Sequence, residues 1–375
     1  MAKIPRIAKR NTDTEHIMHA AARYGYHYAG VKNSHKLFSL LIGADFHHDK
    51  KRLKSSVDFL NYYECLDAAV NLGDTMAENF AEDDGKWYSK IVSKSKKPYL
   101  TVIGNHDMGN SDLVSISATR ESAYKKFIRP TENRMGIETN GKSYYLKSFD
   151  RYKTALIVLN DYDSPDEADG DKYLVHRSTR VMSKEQVDWL CGTLCNIPEG
   201  YAVIIASHTV GFISEPVESE FTQTDPEESP PVTTVYGGES VLADIVNAWI
   251  NGERLEKTYT PTQKYSELLP KISVSVDFSG RGKGDFVCYL AGHTHEDLIL
   301  RCKKYPNQHA ILFPSSSADT WQNYCSDLPR AEGTKAEDCL TVLSLDTKKR
   351  EIRLIRIGSD FTMELKKRSH FVINY

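Results

Sequence analysis

Five short apolar runs, each ending in a tight polar cluster, constrain the fold of this chain more than any other feature. The runs are Phe38–Ile42, Ala68–Leu72, Tyr99–Ile103, Tyr201–Ala206 and Phe286–Ala291. The clusters that follow them are Asp45-Phe46-His47, Gly73-Asp74, Gly104-Asn105-His106-Asp107, Ser207-His208 and Gly292-His293-Thr294-His295. Runs this short, rich in Val, Ile, Leu and Tyr, predict buried strands. Aspartate, histidine and asparagine at five strand exits would converge on one sheet edge, where open α/β folds place their sites. Such a layout suits a metal centre.

The segments between the runs set the organisation. Asn11 to Gly25 predicts a helix, with Asp13 as its cap and Ile17, Ala20, Ala21 and Tyr24 on one face. Residues 1–36 are accordingly read as an N-terminal helical extension of a domain over 37–375. Lys51–Leu66 predicts a helix that completes a strand–helix–strand crossover. A strand at Thr154–Asn160 leads into Asp161-Tyr162-Asp163, and Ser183 with Gln186 three residues on reads as a capping box ahead of Val187, Leu190, Cys191 and Leu194. Phe212–Pro231 holds six acidic residues, four prolines and no Lys or Arg, which predicts a mobile loop, either a solvated insertion or a lid beside His208. A helix at Glu239–Asn251 and a polar stretch to Gly284 complete an insertion over about 212–284. Strands at Ala310–Pro314, Leu340–Leu345 and Glu351–Ile357 would finish a second sheet.

With 375 residues, 40% of them apolar, the chain can bury a sizeable core, and a net charge of −3 gives no global basic field for a nucleic-acid backbone. Seven cysteines without a CxxC pair read as buried thiols rather than a disulfide framework. No membrane-length apolar run and no apolar segment after the basic N-terminus are present, so a cytoplasmic setting is expected.

In type and order the five clusters resemble the motif series of the calcineurin-like metallophosphoesterases, from about Leu37 to Glu296. The resemblance implies a four-layer αββα sandwich of two mixed β-sheets flanked by helices. Strand and helix order alone gives only a mixed α/β domain. It also implies two divalent transition-metal ions: Asp74 bridges them, Asp45, His47 and His295 complete one shell, and Asn105, His208 and His293 complete the other. Imidazoles mixed with carboxylates suit Mn, Fe, Zn or Ni better than Mg or Ca. By the same resemblance His106 is the catalytic residue, protonating a leaving oxygen or stabilising charge, and Asp107 orients its neighbours. His48, Asp49, Asp161, Tyr162 and Asp163 either reach substrate or simply shape their turns.

Two departures narrow the reading. Ala77 stands where protein Ser/Thr phosphatases carry an aspartate and purple acid phosphatases a tyrosine ligand, so neither type is expected. The expectation that remains is a metal-dependent phosphoesterase acting on a small-molecule phosphodiester or phosphomonoester. A DNA nuclease of the same superfamily, with nucleic acid disfavoured by charge, and a catalytically silent scaffold of the same fold are the alternatives.

Overall fold

The computed structural model describes residues 4–11, 37–77, 85–108, 119–165, 180–212, 214–216, 235–236, 238–263, 266–267, 269–317, 330, 332–359 and 370–375. Among these the strands are β1 (Phe38–Gly43), β2 (Ala68–Asn71), β3 (Tyr99–Thr101), β4 (Tyr145–Phe149), β5 (Thr154–Val158), β6 (Ala202–Ala206), β7 (Ser214–Pro216), β8 (Arg254–Tyr259), β9 (Ile272–Asp277), β10 (Asp285–Ala291), β11 (Leu298–Cys302), β12 (His309–Leu312), β13 (Cys339–Asp346), β14 (Glu351–Gly358) and β15 (His370–Asn374). The helices that cover them are α1 (Arg6–Arg10), α2 (Lys50–Tyr62), α3 (Lys86–Val92), α4 (Lys184–Asn196) and α5 (Val241–Asn251).

Two mixed sheets result, a six-stranded one ordered β15-β14-β13-β1-β2-β3 and a seven-stranded one ordered β4-β5-β6-β10-β12-β11-β7. The central strands β5, β6 and β10 read as continuous apolar runs because both faces are buried. Leu156 and Val158 of β5, with Ala202, Ile204 and Ala206 of β6, join Leu40 and Val70 of the other sheet in one core. The alternate residues Ala155, Ile157, Val203 and Ile205 lie in a second core with Val187, Leu190 and Leu194 of α4 and Ile245 and Trp249 of α5. Leu53, Val57 and Leu60 of α2 with Tyr88 and Val92 of α3 bury themselves on the first sheet. The architecture is therefore helix, sheet, sheet, helix.

Parallel pairing fixes where the clusters emerge. β1, β2 and β3 run parallel, as do β5, β6, β10 and β12. All five polar clusters thus leave carboxyl ends of strands, three from one sheet and two from the other, so the site spans two sheet edges rather than the single edge expected. α2 makes the β1-to-β2 crossover, capped by Asp49, whose carboxylate accepts from Lys51 N (3.1 Å) and Arg52 N (3.0 Å). It stops at Tyr62, four residues earlier than the sequence suggested.

Other expectations are corrected. β13 and β14 extend the first sheet, with Leu40 opposite Leu343, and only β12 joins the second. The polar stretch before Gly284 holds the β8–β9 hairpin, whose Ile272 and Val274 point into the core. Ser214–Pro216 is an edge strand on β11, and Phe212 is 2% exposed, so the acidic segment begins inside the packed domain; residues 217–234 lie outside the described residues. Half of the capping box forms. Ser183 Oγ accepts from Gln186 N (3.1 Å), but the Gln186 amide turns to Asn160, accepting from its N (2.8 Å) and donating to its O (2.9 Å). Five of the described cysteines are buried, and Cys195 is exposed. The helix expected over 11–25 lies outside the described residues apart from Asn11, which follows α1.

Candidate metal centre

Backbone contacts between the strand exits assemble the site. Asp45 N donates to Gly73 O (3.0 Å) and His47 N to Asp74 O (2.9 Å), tying the first two clusters together. Gly292 N donates to His208 O (3.0 Å), tying the last two. The sheets are then joined through the site: His293 N donates to both Asp45 carboxylate oxygens (3.2 and 3.1 Å), and His208 Nδ1 donates to the Leu72 carbonyl (2.7 Å).

Close approach here requires glycine. A Cβ on Gly292 would sit 2.5 Å from Asp45 Oδ2, and one on Gly104 would collide with the Asp74 backbone and carboxylate. Among the described residues nine that are not glycine have positive φ, and six of them are Asp45, His47, His48, Asp74, His293 and His295. Left-handed conformations cost energy and cluster where function holds them.

All eight candidate residues come together at one site, in groups linked through His47 and Asp74. Asp45, His47 and His295 offer ligand atoms within 4.8 Å of one another, and so do Asp74, His208 and His293. His47 Nε2 lies 3.0 Å from His295 Nε2, which is 3.5 Å from Asp45 Oδ1. In the second group Asn105 Oδ1 is 3.1 Å from His208 Nε2 and 3.0 Å from His293 Nδ1, and His208 Nε2 is 3.2 Å from Asp74 Oδ2. A third group, His47, Asp74 and His106, links the two.

These spacings fit divalent cations. Metal bonds of about 2.1 Å place neighbouring octahedral ligands about 3 Å apart. The Leu72 carbonyl fixes the His208 tautomer, aiming Nε2 at Asp74 and Asn105, the orientation a ligating histidine needs. His47 Nδ1 is buried without a hydrogen-bond partner among the described residues. Electrostatics agree. Burial opposes charge on His208, yet Asp74, Asp45 and the Leu72 carbonyl push it up to about 10, so the cavity calls for positive charge. Burial outweighs Asp74 and Asp45 at His47 and lowers it to about 4, leaving a neutral imidazole.

His106 takes a different position. Its backbone N donates to Asp74 Oδ1 (2.8 Å), its Nε2 is 3.8 Å from Asp74 Oδ2, and its ring meets His47 edge-on at 4.8 Å. Its side chain keeps 14% exposure while His208 has none. Asp107 is buried and accepts from Gly104 N (2.9 Å) and Met76 N (3.0 Å), bracing the loop; burial and then Asp74 push its carboxyl up to about 7. Asp49 caps α2 and His48 stacks on Trp87 at 4.9 Å. Asp163 receives Ser183 N (3.3 Å), while Asp161 receives Thr209 N (2.6 Å) and Oγ1 (2.8 Å). The buried Tyr162 hydroxyl faces Asn105 Oδ1 at 3.4 Å. The sequence reading missed Arg180, whose guanidinium lies 2.6 Å from His293 Nε2.

In type, order and convergence the five clusters resemble the motif series of the calcineurin-like metallophosphoesterases. Solved structures similar to it include a purple acid phosphatase from yellow lupin (Lupinus luteus), at 15% identity and TM-score 0.45 over 90% of this chain and 54% of that one. A predicted phosphoesterase from Streptococcus pneumoniae matches at 10% identity and TM-score 0.31, over 90% and 99%. A 5'-nucleotidase precursor from Thermus thermophilus matches at 10% and 0.38, over 87% and 54%. The chain spans about half the length of the lupin and Thermus proteins. No protein-family model and no curated protein matches it. None of these three overlaps reaches a TM-score of 0.5, so the resemblance rests on the ordered clusters and their convergence.

Proposed function

We propose that this chain is a metal-dependent phosphoester hydrolase, with diesters preferred to monoesters. One observation carries the reading: seven carboxylate, imidazole and amide side chains from five strand exits lie in two groups that could hold metal ions, linked through His47 and Asp74. Asp45, His47, His295 and Asp74 would hold one ion, and Asp74, Asn105, His208 and His293 the other. Two such ions would supply Lewis acidity at the phosphoryl group.

The remaining chemistry belongs to the chain. His106, partly exposed with Nε2 3.8 Å from Asp74 Oδ2, would hold a proton on Nε2 for the departing alkoxide. Asp107 keeps the Gly104–His106 turn in place through two backbone N–H groups. The Leu72 carbonyl holds His208 in the tautomer that presents Nε2. Among the described residues no helix is long and apolar enough to cross a membrane, and a water-borne phosphoester is the substrate class that suits the open histidine.

The test is metal removal. Purified protein stripped by chelator and checked by elemental analysis should lose hydrolysis of a chromogenic phosphodiester and regain it with Mn(II) more than with Ca(II). Full activity in verified metal-free protein would overturn the proposal.

A further inference from the structure

A recess of about 80 Å³ opens beside the cluster. Its wall is apolar, built from Val181, Phe212, Tyr236, Leu242 and Ile272. Its polar rim includes Asp161, Thr209 and Arg180, and two of these touch the candidate centre: Thr209 follows His208, and Arg180 reaches His293. Thr209 N and Oγ1 both donate to one oxygen of Asp161, Oδ2. The Tyr236 hydroxyl is buried with no partner among the described residues, and its ring is 8% exposed.

Hydrogen-bond logic makes Arg180 a mobile partner. A guanidinium only donates, so its 2.6 Å contact requires His293 Nε2 to accept, with the ring proton on Nδ1 facing Asn105 Oδ1. Nδ1 is also the atom that meets the second ligand group, through Asn105. A neutral His293 offering Nδ1 to a cation carries its proton on Nε2, and two donors would then oppose each other. Arg180 must leave that contact when the centre fills; inside the protein it interacts with the Asp161 carboxylate and the Tyr162 hydroxyl, and a phosphoryl oxygen is the anionic acceptor that a bound substrate would add.

We propose that Arg180 grips the substrate phosphoryl group at the seam between centre and recess, and that the recess takes a short, mostly apolar alcohol portion of the ester. This rests on the phosphoesterase reading above. An apolar cavity of about 150 Å³ takes a benzene ring, so the recess, at about 80 Å³, takes roughly half as much, the size of a propyl chain. A nucleobase is larger than that volume. The free Tyr236 hydroxyl adds one donor for a single oxygen on that chain.

Calorimetry with non-hydrolysable phosphonates separates the two readings. Protein loaded with Mn(II) and verified by elemental analysis is titrated with methyl-, propyl- and naphthylmethylphosphonate. Each buried methylene tightens binding about fourfold, so propylphosphonate should bind about fifteenfold tighter than methylphosphonate, and the naphthyl compound no better than methyl. Val241→Phe, which fills the recess, should erase the propyl-to-methyl ratio, and Arg180→Gln should weaken every phosphonate about tenfold or more with metal content undiminished. Equal affinity for all three compounds overturns the recess assignment and leaves the hydrolase standing. Unchanged affinities in Arg180→Gln overturn the arginine's role. Failure of every phosphonate to bind the loaded wild type overturns the phosphoesterase reading itself. The wild-type series decides the recess even if Val241→Phe does not fold.

Discussion

A single methyl group should be enough to break the candidate centre. In Gly292→Ala the new Cβ would stand 2.5 Å from Asp45 Oδ2 and 3.0 Å from Ala44 Cβ, where ordinary contact begins at 3.4 Å. The carboxylate must therefore retreat by about 0.9 Å, the difference of those figures, whereas metal coordination tolerates about 0.2 Å. Gly292 does not have a positive φ, so the backbone accepts alanine and the damage passes through Asp45. Mn(II) affinity, measured by dialysis and elemental analysis, should fall about a hundredfold or more, with about 1–3 kcal/mol of stability lost to overpacking. Gly192→Ala is the control. It sits in α4 with nothing within 4 Å of its Cβ and should stabilise by about 0.5–1 kcal/mol. Wild-type metal affinity in Gly292→Ala, with the control behaving as expected, would refute the placement of Asp45 at a cation.

Asp74→Asn should lower the binding of both ions, while His106→Ala should keep metal content and lose turnover about a hundredfold or more; loss of metal in His106→Ala would make His106 a ligand. Asp244 anchors α5 to Lys257 (2.8 Å), Tyr259 (2.8 Å), Lys304 (2.7 Å) and Tyr305 (2.7 Å), so Asp244→Ala should cost about 3–5 kcal/mol in denaturant melts at neutral pH. Burial works against the Asp244 charge, but those four partners hold its pKa below the ordinary value. Its stabilisation is thus complete above about pH 4 and fades as pH falls through the lower folded value, and the gap between wild type and variant should narrow only there. Phe212→Ala should cost about 3–5 kcal/mol, because the ring is buried 5.1 Å from Tyr289; a change under about 1 kcal/mol would return the segment to a surface loop.

The centre was legible because its residues are local to strands that announce themselves. A run such as Tyr201–Ala206 followed by Ser207-His208 gives both the strand and what it delivers. Partner choice is not local, which is why β13 and β14 were recognised as strands but given to the wrong sheet. Each could bury its apolar residues on either sheet, and pairing with β1 decides it. The β8–β9 hairpin was missed for a different reason. Ile272, Val274 and Val276 alternate as a strand should, but β8 reads Arg-Leu-Glu-Lys-Thr-Tyr and exposes Arg254 and Glu256, so half the signal is polar.

Arg180 marks where sequence reasoning stops. Nothing about one arginine sets it apart, and it reaches His293 only because Val181 makes an isolated bridge to Tyr162, just beyond β5. Backbone conformation adds a second signal at five of the candidate ligands. Asp45, His47, Asp74, His293 and His295 all adopt positive φ, which Asp, Asn and His tolerate better than β-branched residues do. Their side-chain chemistry and their tolerance of that turn select the same residue types, so the pattern is written twice in the sequence. Arg180 is not among the positive-φ residues, and its place depends on a long-range contact alone. The polar centre can therefore be read from strand exits, whereas the features proposed to choose the substrate, Arg180 and the recess, require the folded chain.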